Sequence, residues 1–523
     1  MRARIRATVA VLALTAAALT VTGTANAEAA PSITWRPCPT ASDVDCGTVT
    51  VPVDWSRPNG PTTTIGLARR KALDPAARLG SLVFIPGGPG GSGVDYVLDQ
   101  PDYFSADVRK RYDIVGFDPR GVGASTQIRC DEDLLYAPVP AIPSTQADLD
   151  AVRLYNKDLG TSCRDLTGPL HDNADTIATV HDLDAVRAAL GDRKLTSYGR
   201  SYGTLISQQY AETFPNRVGR MVLDSNMDHS QRTTWQFMAS ETATVEDSFR
   251  EFAAWCDRTT TCALHGRDVG AVFDDLYAKA GRGDLVDPAD ATKIDTYTLI
   301  STAAGDFYGP TWTELADWLA GLAAPPGPAG LTGLAGPASS NRAAMSARAF
   351  GEPTEYVFSA VFCEDWRLPV RSVEEFNGYR TALARTAPHM HLSALGLAPL
   401  SCPDYPAPLN NPQHRLAVRG AAPVLLINAV HDPATPYAWA QAVHAQIPGS
   451  VLLTYEGWGH GVYPKSGCVS SAADRYLLTG TLPAADARCP AVEPAGASLA
   501  PRVASPAAPA APPVPSRRVP GWF

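Results

Sequence analysis

The chain has 523 residues, 45% of them hydrophobic and 19% charged, with a formal net charge of -9 at pH 7. That composition supports a large buried core and excludes a chain that is disordered throughout. The acidic balance argues against a surface built to hold nucleic acid or an anionic membrane.

The N-terminus differs in character from everything after it. Arg2, Arg4 and Arg6 precede an apolar run over 7–21, and Ala25-Asn26-Ala27 forms an A-x-A cleavage site. This is the pattern of a secretory signal peptide over residues 1–27. The run is short and dotted with Ala and Thr, so a membrane anchor is not expected. No adjacent Arg-Arg pair is present, which favours the Sec route over a twin-arginine route. Losing those arginines, and no acid, takes the formal charge from -9 to -12. The 10 cysteines of an exported chain predict disulfides. No C-x-x-C occurs and no histidine stands at zinc-ligand spacing from a cysteine, so no metal site is expected. The cysteines fall in loose sequential pairs. Pairing of sequence neighbours is expected, Cys256 with Cys262 and Cys468 with Cys489 above all, although spacing alone leaves other connectivities open.

Residues 46–55 (CGTVTVPVDW) alternate in the manner of a strand, with 62–72 as the partner. Residues 81–86 (SLVFIP) form a continuous apolar run, expected of a strand buried on both faces of a mostly parallel sheet, and lead into a glycine-rich loop at 87–93. A second such strand at 112–117 (YDIVGF) ends in DPRGVGAS. Residues 130–170 are less regular and helical in part. Over 175–190 apolar residues recur at helical spacing, with Gly191 as the C-cap. A short strand at 195–198 and a helix at 204–213 flank Gly199-Arg200-Ser201-Tyr202-Gly203, and 219–224 (GRMVLD) is a further strand. This alternation predicts an α/β fold with right-handed crossovers.

From about 225 the pattern changes. Strand-like runs become rare, Trp235, Trp255, Trp312, Trp318 and Trp366 sit in mostly helical segments, and 323–340 is a Gly/Pro/Ala loop. The sheet pattern returns at 422–428 (APVLLIN) and 450–455 (SVLLTY). Beyond Cys489 the chain is Pro/Ala-rich. The expected organisation is a signal at 1–27, an N-terminal core segment at 28–225 and a helical cap at 226–416. A C-terminal core segment at 417–490 and a tail at 491–523 complete it.

The central pentapeptide matches G-x-S-x-G, which turns sharply from strand to helix and presents its serine above a sheet. Serine is a weak nucleophile that needs a base held by a third group. His460, in GWGHG past the last expected strand, is the candidate base, and Asp432, directly after 422–428, is the candidate acid. His431 and Asp224 are their rivals. The order Ser201, Asp432, His460 is that of the α/β-hydrolases. The oxyanion donors expected are the amides of Tyr202 and of Gly88 in the glycine loop. The spacing at 88–93 breaks the dinucleotide fingerprint and there is no P-loop lysine, so no cofactor is expected.

PGGPGGSG, FDPRGVGAS, SYGRSYGT, the D-P-x-T-P of 432–436 and GWGHG together resemble the tripeptidyl/prolyl aminopeptidase branch of the α/β-hydrolases, over roughly residues 35–490. Proline iminopeptidases usually carry histidine before the double glycine. Pro86 stands there instead, which favours the secreted tripeptidyl type. The resemblance implies a mostly parallel sheet flanked by helices with an inserted helical cap. It also implies a secreted serine exopeptidase that releases short N-terminal fragments, tripeptides in the first instance, from peptides with a free N-terminus. An anionic anchor must then hold the ammonium group. Residues 360–365 (AVFCED) are similar to the family's A-I-x-C-x-D, which places Asp365 at that acid, with Glu364 as the alternative. A carboxylesterase using the same triad is the other reading. A monomer is favoured, and the Pro/Ala tail leaves a cell-wall tether open.

Overall fold

The computed structural model describes residues 32–324 and 353–494. The expected signal segment, nearly all of the Gly/Pro/Ala loop at 323–340 and nearly all of the tail at 491–523 lie outside the described residues. The strands, in chain order, are β1 (Arg36–Pro37), β2 (Asp45–Pro52), β3 (Thr62–Arg70), β4 (Gly80–Ile85), β5 (Tyr112–Phe117) and β6 (Arg129–Asp131). Then follow β7 (Leu195–Arg200), β8 (Val218–Asp224), β9 (Pro353–Glu355), β10 (Leu425–His431), β11 (Val451–Trp458) and β12 (Arg488–Cys489). Among the described residues β6 and β9 pair with each other, and the rest form a 10-stranded sheet in the order β1-β2-β3-β5-β4-β7-β8-β10-β11-β12. The pairings from β1 to β5 through β2 and β3 are antiparallel. Those from β5 to β12 are parallel.

The continuous apolar runs have their expected meaning. Side chains alternate across a strand, and in β4 Leu82 and Phe84 enter one core while Val83 and Ile85 enter the other. On the first face the helices Gly93–Asp99, Ala106–Arg111 and Gly467–Thr479 contribute Val94, Val97, Val108, Val469 and Leu477. On the second face Thr176–Ala189, Tyr202–Thr213 and Tyr437–His444 contribute Val180, Leu183, Ile206, Tyr210 and Val443. The result is the α/β-hydrolase arrangement, a mostly parallel sheet between two helical layers.

The strands β8 and β10 are adjacent and parallel, with Leu425 beside Val222 and Ile427 beside Asp224. The long segment between them is therefore an insertion into the sheet. It is built of helices, among them Thr234–Arg258, Val269–Arg282, Thr296–Tyr308, Trp312–Leu322, Phe358–Asp365 and Val373–Thr386. Phe237, Phe249, Trp255, Leu299 and Trp312 fill a third core, which extends to Tyr202, Met227 and Trp458 at the sheet. The region from 130 to 170 holds a regular helix, Gln146–Thr167, closed at its start by a capping box between Thr145 and Asp148. All cysteines among the described residues pair with a sequence neighbour: Cys38–Cys46, Cys130–Cys163, Cys256–Cys262, Cys363–Cys402 and Cys468–Cys489. No helix among the described residues is long and apolar enough to cross a membrane.

Candidate active site

Between β7 and the helix Tyr202–Thr213 the chain turns at Ser201, with φ 57 and ψ -125. A non-glycine residue holds such a conformation at a cost of roughly 1–3 kcal/mol, and only where its surroundings fix it. Here Ser201 N donates to Asp224 O at 2.9 Å, and Thr204 N and Oγ1 donate to Ser201 O at 2.8 and 2.6 Å. The flanking glycines make the turn possible. A Cβ on Gly199 would lie 2.6 Å from Gly203 O, and one on Gly203 would lie 2.3 Å from Ile85 O. The loop after β4 passes directly over the serine, since a Cβ on Gly87 would come within 2.8 Å of Ser201 Cβ.

Asp432 and His460 follow the ends of β10 and β11. The imidazole Nδ1 lies 3.0 and 3.1 Å from the two oxygens of the fully buried Asp432. Asp432 also accepts from Ala434 N, Thr435 N and Thr435 Oγ1, each at 2.9 Å. Burial works to raise its pKa, but the adjacent His460 and these donors outweigh it and hold the carboxyl below its usual range. Asp224 has a different task. Its oxygens accept from Val462 N and Tyr463 N at 2.9 Å, while Gly461 N donates to Ser225 Oγ at 2.8 Å. It clamps the backbone behind His460. On the other side His460 N donates to Tyr308 O, from the insertion, at 3.0 Å. His431 turns away to Asp247, 2.7 Å from its Nδ1.

Ser201 and His460 both line one cavity of about 90 Å3, together with Gly88, Tyr202 and Arg200. The rest of the wall is largely apolar, with Met227, Phe237, Phe358, Phe362 and Leu395 prominent. The amide-bearing residues expected at the oxyanion therefore face the same space as the serine and the imidazole. Gly88 has a φ of 115 and Gly90 of 112, backbone angles that glycine alone adopts freely.

The two expected ammonium anchors are not brought to this space. Asp365 and Glu364 are fully buried and neither lines the cavity. Asp365 accepts from Thr176 N at 3.0 Å, from Asn411 Nδ2 at 2.8 Å, from Thr176 Oγ1 at 2.5 Å and from the Tyr202 hydroxyl. Glu364 Oε2 accepts from Ala174 N and Asp175 N at 3.1 Å and from Asn410 Nδ2 at 2.8 Å. These acids join the insertion to the sheet domain, and Asp365 braces the Tyr202 side chain. Burial drives both upward, Asp365 to about 7 and Glu364 well above its usual range.

Several residues at the site carried no signal that sequence reasoning used. Thr435, in the Asp-Pro-x-Thr-Pro stretch, bonds the acid and lies 3.4 Å from His460 Nδ1. Its place in that motif was the clue available. Tyr308 contacts the His460 ring at 5.0 Å between centroids, and only the fold brings it there. Glu241 is fully buried, with Oε1 lacking a hydrogen-bond partner and Oε2 3.4 Å from Ser393 Oγ. It follows Phe237, which lines the cavity, by one helical turn, but does not itself line it. Burial, reinforced by the charge of Asp432, pushes it well above the usual carboxylate range. Among the described residues no group of three or more His, Cys, Asp or Glu is arranged to hold a metal ion.

Residues 80–326 match the family described as the α/β hydrolase fold, and residues 391–489 match the family described as TAP-like protein. Tripeptidyl aminopeptidase of Streptomyces lividans is 32% identical over 480 residues, covering 87% of this chain and 86% of that protein. Serine protease Hip1 of Mycobacterium tuberculosis H37Rv is 31% identical over 485 residues, covering 87% and 91%. Carboxylesterase B of the same strain is 32% identical over 461 residues, covering 85% and 86%.

Proposed function

The chain belongs to the α/β-hydrolase serine hydrolases that carry a TAP-like C-terminal segment, and from that premise we propose a secreted exopeptidase that releases short N-terminal fragments, chiefly tripeptides. Ser201 Oγ attacks the scissile carbonyl, and His460 takes its proton. Asp432 holds the imidazole with Nδ1–H toward itself, so that Nε2 faces the serine. The amides of Tyr202 and Gly88 receive the charge that develops on the carbonyl oxygen. His460 returns the proton to the departing amine, and water then releases the acyl fragment from Ser201. The observation that carries this reading is the contact of His460 with both Asp432 oxygens, in a loop that presents the ring to the cavity lined by Ser201.

A free N-terminus needs an anion. Asp365, Glu364 and Glu241 all stand behind the cavity wall; Glu241 is the acid we assign to it, because it lies within reach of the charge of Asp432 and beside Tyr308, which lines the cavity. Its unused oxygen and its raised proton affinity suit a group that ionises when an ammonium arrives. Export of the chain is supported by the N-terminal pattern and by the five disulfides.

The apolar wall of Met227, Phe237, Phe358, Phe362 and Leu395 favours a second reading, a carboxylesterase acting with the same serine. Incubation with unblocked oligopeptides, followed by mass spectrometry of the products, separates the two. Successive loss of tripeptides supports the exopeptidase, whereas intact peptides beside rapid ester cleavage support the esterase. Ser201→Ala should lower either activity by several orders of magnitude and abolish labelling by a fluorophosphonate probe; retained hydrolysis would remove both readings.

A further inference from the structure

Of the two residues that flank Ser201, Tyr202 is accounted for by its amide and by its hydroxyl on Asp365. Arg200 is not. It lines the cavity beside Ser201 and His460. Its one side-chain hydrogen bond goes to the Tyr96 hydroxyl at 3.2 Å, and among the described residues no carboxylate forms an ion pair with it. The acid whose field reaches it, Asp224, is already engaged by Val462 N, Tyr463 N, Tyr198 Oη and Ser225 Oγ.

A second cation stands close by. His460 lies between Gly459 and Gly461. A Cβ on Gly461 would come within 2.5 Å of Arg200 Nε, and one on Gly459 within 2.8 Å of Lys465 Cε. The two glycines that bracket the imidazole thus pack against a guanidinium and an ammonium stem. Lys465 likewise forms no ion pair among the described residues, and burial together with the charge of Arg200 pushes it down to about 8. Positive charge withdrawn from water and left without a carboxylate is costly unless a ligand supplies one. A guanidinium at a cavity wall matches a carboxylate in geometry as well as in charge.

We propose that Arg200, its positive field reinforced from behind the wall by Lys465, forms an anion subsite on the histidine side of the cavity that takes a carboxylate of the departing fragment. The side follows from the chemistry, because His460 delivers its proton to the leaving amine and the fragment bearing that amine lies next to it. This rests on the peptidase reading given above. The carboxylate has two possible sources: the C-terminus of a departing single residue, or an acidic side chain on the first departing residue. Short peptides and acidic leaving residues are then preferred over long neutral ones.

The test compares the intact enzyme on Ala-Pro-Ala-Ala with a free C-terminus, on its C-terminal amide, on Ala-Pro-Ala-Asp amide and on Ala-Pro-Ala p-nitroanilide. At least one carboxylate-bearing substrate should exceed the neutral amide by about tenfold or more in kcat/KM, chiefly through KM. The free-acid and Asp-amide arms tell the two sources apart. In Arg200→Gln that ratio should fall toward one, in Arg200→Lys it should survive in part, and Lys465→Gln should reduce it. A wild-type enzyme with no preference for either carboxylate overturns the subsite, as does a preference that persists in both Arg200→Gln and Lys465→Gln. Should Arg200→Gln fail to fold, the wild-type ratios and Lys465→Gln still decide. Cleavage of the anilide without a carboxylate preference removes the subsite alone, whereas absence of anilide cleavage removes the peptidase reading and the subsite with it.

Discussion

Thr435 shows how much of the proposed chemistry depends on single hydrogen bonds behind the reacting groups. Its amide and hydroxyl both donate to Asp432, fixing the carboxylate that in turn fixes His460. Thr435→Val removes the hydroxyl and keeps the shape. A lost bond to a charged group is worth about 1.5–3 kcal/mol, so kcat should fall roughly 10- to 100-fold with little change in KM. Steady-state kinetics on a peptide anilide checks this. Asp365 gives a second prediction at the same scale. Burial, with the neighbouring charge of Asp175, lifts its pKa from 3.8 to about 7 against the donors Thr176 and Tyr202. A carboxyl raised in the folded state stabilises most fully below its unfolded pKa, and that contribution is lost as pH rises through 7. The Tm difference between wild type and Asp365→Asn should therefore be larger at pH 5 than at pH 8. An unchanged difference would show that the carboxyl is ionised at both. The sequence marked Asp365 through its motif but not its surroundings, because eight residues of helix, Phe358–Asp365, are buried on every side and periodicity reports one buried face at most.

At the scale of elements, the turn after β7 is tightly constrained by backbone contacts. Gly203 sits against Ile85 O at the end of β4, so the helix Tyr202–Thr213 approaches the neighbouring strand with no room for a methyl group. Gly203→Ala should cost roughly 1–3 kcal/mol through overpacking and move the Tyr202 amide away from the serine. A lower Tm together with weaker fluorophosphonate labelling is expected, and labelling at the wild-type rate would contradict it. This turn was legible from five residues because its glycines are dictated by backbone contacts that recur wherever the motif does. The central strands β4 and β5 were legible for a related reason, since burial on both faces writes itself as a nearly unbroken apolar run. The helix Gln146–Thr167 was legible only in part, because polar residues dominate it and its buried face includes Asn156 and Gly160, which interrupt the apolar stripe. Tyr308 illustrates a stricter limit. Its carbonyl holds the amide of His460, yet nothing near it in the chain marks the contact, which exists only because the insertion folds back over the sheet.

For the whole molecule, the division of labour follows from where the insertion enters. It leaves the sheet after β8 and returns at the adjacent β10, between the strand that supports the serine and the strand that leads to Asp432. Its residues Phe237, Tyr308, Phe358 and Leu395 therefore form much of the cavity wall, while Ser201, His460 and the glycine loop come from the sheet domain. We assign the reaction to the sheet domain and the choice of substrate to the insertion. The proposed substrates of the serine are peptides with a free N-terminus. The direct test is kcat/KM for Ala-Pro-Ala p-nitroanilide against its N-acetylated counterpart, with p-nitrophenyl butyrate as the ester control and Ser201→Ala as the blank. The free amine should be favoured by about 100-fold or more, the value of a buried charge pair of about 3 kcal/mol, and all three activities should vanish in Ser201→Ala. Equal cleavage of the acetylated and free peptides, or rapid ester hydrolysis with both peptides untouched, would contradict that assignment.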